Sequence, residues 1–191
     1  ILPGASDDVC IGSGVNVTLS SGTQSIRSLT SDSPLSIAAG TLSIANTSAI
    51  NHNFTLSAGA LDGAGSVTIS GVTTWTGGAM SGTGATTLNG NLNISGNASH
   101  DLTGGRTLNT TATTTMSGGV AGFFRTGGGA SINNSGLWQD QSTANTTISN
   151  DFGGTQSTFS NTGVYRKSGA ATITTISNIT FNNTSSGAGT G

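Results

Sequence analysis

The stretches VTLSSGTQSI, LSIAAGTLSI, FTLSAGALDG and TTWTGGAMSG align on Gly22, Gly40, Gly59 and Gly78, at steps of 18, 19 and 19 residues. Ahead of each anchor stand two apolar or near-apolar positions: Val17 and Leu19, Leu35 and Ile37, Phe54 and Leu56, Thr73 and Trp75. One further step of 19 brings Leu92 and Ile94 into the same frame, with Asn97 as the anchor. The alternate positions are Thr18 and Ser20, Ser36 and Ala38, Thr55 and Ser57, Thr74 and Thr76, Asn93 and Ser95, none of them large and apolar. Such alternation with a period of two marks a strand buried on one face. Gly takes up the left-handed backbone of a tight corner, and Asn replaces it best. The anchors, Asn97 included, therefore read as corners. A second strand follows each corner through Ile26, then Leu42 and Ile44, then Leu61, then Met80. A third carries Ile50, then Val67 and Ile69, then Leu88.

Three short strands and three corners in 18–19 residues make one coil of a parallel β-solenoid, with coils about 4.8 Å apart. A single coil cannot bury its own apolar face, so several must stack. Left-handed hexapeptide solenoids have coils of about this length, but no strict six-residue period is present and the step drifts. The expectation is a right-handed β-helix. The second half repeats a different signature: Ile132-Asn-Asn-Ser-Gly136, Phe159-Ser-Asn-Thr-Gly163 and Phe181-Asn-Asn-Thr184, with Leu108-Asn-Thr-Thr111 as a weaker copy, at steps of 24, 27 and 22. Stacked Asn side chains would form hydrogen-bonded ladders there, as in stacked sheets. The predicted fold is thus all-β: one continuous solenoid over 1–191, with short coils in 1–107 and coils of 22–27 residues in 108–191. Segments 117–130 and 139–157 are expected to hold loop insertions, and Phe123 and Phe124 to join the core. No capping element is evident at the closing SSGAGTG.

Composition agrees with this reading. Gly contributes 31 residues, charged residues only 6%, and all seven acids are Asp. Helix formers are scarce, whereas turn and strand formers abound. The net charge is −2 with five basic residues, which does not suit a nucleic-acid partner. No apolar run reaches the ~18–20 residues that span a bilayer. The lone Cys10 reads as a small buried hydrophobe in the strand Val9–Ile11.

The stretch PGASDDVCI, the Gly-Thr-Leu corners, WTGGAMSGTG and the repeated Asn-Asn-Ser/Thr-Gly turns resemble large bacterial surface proteins, the β-strand-repeat and filamentous-haemagglutinin-like adhesins. The resemblance implies a right-handed β-helix, secretion and a role at the cell surface. It carries over no catalytic residue.

Candidate chemistry is sparse. Asp62, Ser81 and His100 all stand three residues past an anchor and would stack outward on consecutive coils. A triad needs His between Ser and Asp, and here Ser lies in the middle. Glycoside hydrolysis needs two carboxyls roughly 5–9.5 Å apart. Asp7 and Asp8 are expected to point to opposite faces, and Asp32, Asp62 and Asp101 fall at different corner offsets. The alternative is a pair assembled by loops from Arg125, Asp140 and Asp151. His52 and His100 lack partners at metal-ligand spacing, and Leu-Asp-Gly-Ala-Gly at 61–65 lacks the order of a calcium-binding nonapeptide. A Walker-type phosphate loop needs Lys after its glycines, and 75–91 has none. Eleven Asn-x-Ser/Thr triplets occur, among them Asn16, Asn53, Asn109 and Asn178; outward polar alternation generates such triplets by itself. A Thr array of the ice-binding kind has Thr at both outward places only at Thr74 and Thr76.

No catalytic, cofactor-binding or metal-binding residue is therefore assigned. The expectation is a non-catalytic, secreted or cell-surface rod for adhesion, fibre or matrix building. Its expected partners are glycans or extracellular surfaces, with end-to-end self-association into filaments. The alternatives are a polysaccharide-binding or polysaccharide-cleaving β-helix and an ice-binding one.

Overall fold

The computed structural model describes residues 2–118, 123–168 and 171–184. All described strands pair in parallel, and no helix occurs among the described residues. They form three sheets. The first has nine strands, from Asp8–Ile11 to Thr180–Asn183. The second has eight, from Val17–Leu19 to Val164–Lys167, and the third eight, from Thr23–Ile26 to Thr174–Ser177. Each sheet takes every third strand in chain order, so the chain visits all three sides and returns one level higher. This is the expected all-β solenoid with three strands per coil.

The register follows the repeat. Val67 pairs with Thr86 in the first sheet and Thr73 with Leu92 in the second, each 19 residues on. Later, Leu108 pairs with Ile132, Ile132 with Phe159 and Phe159 with Phe181, at the expected 24, 27 and 22. Inward side chains stack into columns along the axis. Ile37, Leu56, Trp75, Ile94 and Met116 form one in the second sheet, all fully buried. Aromatic rings continue along the interior: Trp75 to Phe124 at 5.4 Å between centroids, Trp138 to Phe159 at 4.9 Å, Phe159 to Phe181 at 5.2 Å. All three meet edge-on or tilted, as ring quadrupoles favour. Phe123 and Phe124 are both fully buried, as expected.

A polar column runs beside them. In the first sheet Ile50, Ile69 and Leu88 give way to Thr110, Asn134, Asn161 and Asn183. Thr110 Oγ1 donates to Asn134 Oδ1 (2.8 Å), Asn134 Nδ2 to Asn161 Oδ1 (2.6 Å), and Asn161 Nδ2 to Asn183 Oδ1 (2.8 Å). Asn134 and Asn161 also donate to the carbonyls of Gly136 and Gly163. The predicted Asn ladder exists, and it lies inside the rod.

The corners hold where the step is constant. Gly22, Gly40, Gly59 and Gly78 all have positive φ, between 73° and 84°. A Cβ on Gly59 would fall against the carbonyl oxygen of Gly40 one coil below, so shape as well as φ demands glycine there. The reading of Asn97 as the fifth anchor is corrected: the positive φ belongs to Gly96, at 87°. Ala60 pairs with Ala79, 19 residues on, but Ala79 pairs with Asp101, 22 on. Three residues enter at this corner, and the longer step begins here. Cys10 is also corrected. Val9 and Ile11 face inward, so by strand parity Cys10 faces out, and it is exposed. Of the expected insertions, 119–122 lie outside the described residues, whereas 139–157 holds a strand, Thr146–Asn150, between two loops. The closing segment 185–191 also lies outside the described residues.

Candidate functional site

The few ionisable side chains divide into those inside the rod and those on its outer face. Asp140 is fully buried. It shares strand Leu137–Asp140 with Trp138, two residues earlier and on the same inward side. Its Oδ1 accepts from the Ser142 amide (3.0 Å), Ser142 Oγ (2.7 Å) and Lys167 Nζ (3.0 Å). Its Oδ2 accepts from Tyr165 (3.1 Å) and Thr174. Burial pushes its pKa up, but the donors Thr174, Ser142 and Lys167 outweigh burial and hold the carboxyl below its usual 3.8. Burial and the neighbouring Asp140 charge push the Tyr165 hydroxyl up. Arg106 is also fully buried. Its Nε donates to Thr86 Oγ1 (2.9 Å), and its Nη1 to the carbonyls of Ser81 (2.7 Å) and Gly63 (3.3 Å). Burial lowers its pKa to about 10, which leaves it charged at neutral pH.

His100 is corrected. The three added residues at Gly96 shift its register, and it lies fully buried rather than in an outward line. Its Nε2 lies 2.9 Å from the Trp75 carbonyl and its Nδ1 3.2 Å from the Phe123 carbonyl. A neutral ring has one N–H for two acceptors. Burial lowers its pKa below 6.5 against the pull of those carbonyls. The rest of the proposed outward line stands: Ser81 Oγ donates to Asp62 Oδ1 at 2.7 Å.

The outer face of the third sheet carries the charges of the middle of the rod. One row runs Ala60, Ala79, Asp101, Arg125. Beside it stand Asp62 and Ser81. Arg125 grips Asp101 with both prongs, Nε to Oδ1 at 2.8 Å and Nη2 to Oδ2 at 2.7 Å. This fork raises the Arg125 pKa above its usual value. The guanidinium carbon sits 4.9 Å from the ring centre of Phe152, within cation–π range. Phe152 is half exposed, at 50%. It follows strand Thr146–Asn150, and its amide donates to the Thr126 carbonyl at 3.1 Å. The corner beside it is built from three stacked Gly-Gly pairs, 104–105, 128–129 and 153–154, all with positive φ. Those pairs carry no side chains of their own, and the Thr155 side chain stands against Gly129.

Arg125, Asp140 and Asp151 do not form one site. Asp140 faces the interior from the second sheet, Arg125 faces outward from the third, and Asp151 is exposed past Asn150. At the first coil, Asp8 pairs with Arg27 and Ser28, and these hold its pKa down to about 2. Asp7 stands just ahead of the strand that begins at Asp8. Among the described residues no group of three or more His, Cys, Asp or Glu could hold a metal ion. The outer row of the second sheet reads Thr55, Thr74, Asn93, Thr115, Gln139, Arg166, so Thr does not persist along it. Strand parity with Trp138 was the available signal for Asp140. Nothing short of the corner geometry marks Arg106 as internal. No family model, curated protein or solved structure matches the chain.

Proposed function

We propose that the protein is a non-catalytic, secreted or cell-surface structural module, a stiff rod for adhesion, fibre or matrix building. The observation that carries this reading is the ordered outer surface. On the first sheet, Thr68, Thr87, Asn109, Asn133, Ser160 and Asn182 stand in one straight row, coil above coil. Asn109 donates to Thr87 at 3.1 Å and Asn133 to Asn109 at 3.0 Å, which stiffens the row. Hydroxyls and amides each both donate and accept, which suits hydroxyl-rich glycans and sister rods. Three carboxyls are spent on stitching: Asp101 on Arg125, Asp140 on Lys167, Asp8 on Arg27. The Asp8 and Asp140 carboxyls, held below their usual value, are poor general acids, because that role needs a raised pKa. End-to-end association belongs to the same proposal; among the described residues the outermost strands of each sheet have a paired neighbour on one side only. No helix of the described residues is long and apolar enough to cross a membrane.

A glycan array combined with electron microscopy tests the proposal. The expected result is rods or filaments that retain glycans without shortening them. Polysaccharide cleavage by the purified chain, lost in Asp151→Asn, would overturn it.

A further inference from the structure

We infer that the corner around Phe152, on the outer face of the third sheet, is a stacking subsite for a neutral pyranose chain. The inference rests on the reading of the protein as a glycan-contacting rod and names where on the rod the contact lies. Among the described residues only two Phe, Tyr or Trp side chains are exposed, Phe152 and Phe181, and Phe181 lies in the last described strand. Phe152 is therefore the one exposed Phe, Tyr or Trp ring on the flank of the rod among those residues.

The surroundings of the ring are ordered. Arg125 covers it at 4.9 Å, and half of the side chain's surface still meets solvent. Asp101 takes one N–H from Nε and one from Nη2. The guanidinium has five N–H groups, so three remain, fixed in direction by the fork, on a side chain 34% exposed. Gly127 lies directly beneath Phe152, where a Cβ would collide with the Phe152 backbone and Cβ. The Gly-Gly corner extends from there, with the Thr155 side chain standing against Gly129 at its edge.

These features match one chemistry. The C–H face of a pyranose packs on an aromatic face, and its equatorial hydroxyls reach in-plane donors and acceptors at the ring edge. Here the ring is Phe152, the donors are the free Arg125 N–H groups, and the Asp101 carboxylate is an acceptor. Charge sets the class of sugar. Asp101 cancels Arg125, and the exposed Asp151 beside Phe152 makes the corner negative. Sulfated, phosphorylated or uronic chains are disfavoured there, and neutral hexoses or N-acetylhexosamines are favoured.

The test uses the whole chain with cellohexaose, laminarihexaose and chitohexaose as neutral probes and a hyaluronan hexamer as the anionic one. Binding is followed by amide NMR shifts and calorimetry. The expected result is that at least one neutral hexamer moves the amides of Gly127, Gly128, Gly153 and Gly154. Phe152→Ala should weaken that binding at least tenfold with an unchanged melting curve, and Phe152→Tyr should retain it. Arg125→Lys, which keeps the charge but loses the fork, should weaken it severalfold. The hyaluronan hexamer should bind at least tenfold more weakly than the neutral probe. Neutral-sugar binding that is indifferent to Phe152→Ala overturns the subsite and leaves the glycan-contacting rod standing. Failure of every neutral hexamer to bind the wild-type chain also overturns the subsite, while glycan retention by assembled rods is read separately on the array. Tighter binding of the hyaluronan hexamer overturns the assignment to neutral sugars.

Discussion

The first four coils and the last four solve the same stacking problem by different means. In the first region the step is 18 to 20 residues, and each corner glycine rests on the one below. Backbone against backbone fixes the register there, and the columns between are almost wholly apolar. In the second region the step varies from 22 to 28 residues, so the corners at the added loops cannot nest identically, although Gly163 still rests on Gly136. Register there is also held by directional bonds: Thr110, Asn134 and Asn161 are linked side chain to side chain inside the rod, and Asn183 extends the row on the exposed last described strand. Apolar contact is non-directional and would tolerate a slip, whereas an Asn opposite an apolar residue would lose its partners. Uniform coils are set by shape, and variable coils need polar ladders.

That contrast can be broken most sharply at a corner. Gly59→Val combines left-handed strain with collision against the Gly40 carbonyl, and about 3–5 kcal/mol of stability should be lost. Gly153→Val meets open space at a φ of 65° and should cost only about 1–2 kcal/mol. Urea melts of the two variants decide the matter, and equal losses would sink the claim that nesting, beyond φ alone, demands glycine at Gly59. Next comes the ladder. Asn161→Leu strands the Asn134 amide and the Asn183 carbonyl, for about 2–4 kcal/mol, whereas Asn133→Leu on the outer row should stay within about 0.5 kcal/mol. A mild Asn161→Leu would show that the aromatic column alone sets register.

Lys167→Met removes one of five donors to buried Asp140 and should cost roughly 1–3 kcal/mol. The acid limb follows from the same group. The folded Asp140 carboxyl titrates below its unfolded value of 3.8. Its contribution is therefore complete above that value and is lost as pH falls through the folded one. Thermal melts should show Asp140→Asn with a flatter acid limb, and an unchanged limb would count against the buried site. The smallest effect sits at the junction of the two regions. His100 has a folded pKa below 6.5, so the unfolded chain takes the proton first. Stability is complete above 6.5 and declines as pH falls below it toward the folded value. Melting temperatures between pH 7 and 5 should show this slope in the wild type and lose it in His100→Gln.

Most of the rod was legible in the sequence because its signals are periodic. Alternation around Leu35 and Ile37 or Phe54 and Leu56 gives both face and register, and Phe159-Ser-Asn-Thr-Gly163 carries its corner in its own letters. The errors came where counting replaced parity. A step of 19 from Gly78 lands on Asn97, a plausible corner residue, and this hid three added residues and the true corner at Gly96. His100 was placed outside for the same reason. Cys10 lies between two inward residues, and alternation alone would have placed it outside. Asp140 defeats composition-based reasoning, since a carboxylate inside a core is costly until its donors are known, and two of those donors come from the following strand, at Tyr165 and Lys167. The cluster of Arg125, Asp101 and Phe152 joins residues up to 51 positions apart across variable loops, and no local pattern announces it.

The parallel stacking of coils has a mechanical consequence. The bonds between coils lie along the rod, so a pull on its ends loads them one rung at a time instead of all at once. Each coil that lets go releases 18 to 28 residues of chain, a contour of roughly 60–100 Å from a level only about 4.8 Å tall. Under tension such a rod would yield in steps, first where a coil lacks an internal amide ladder, and it would lengthen before it broke.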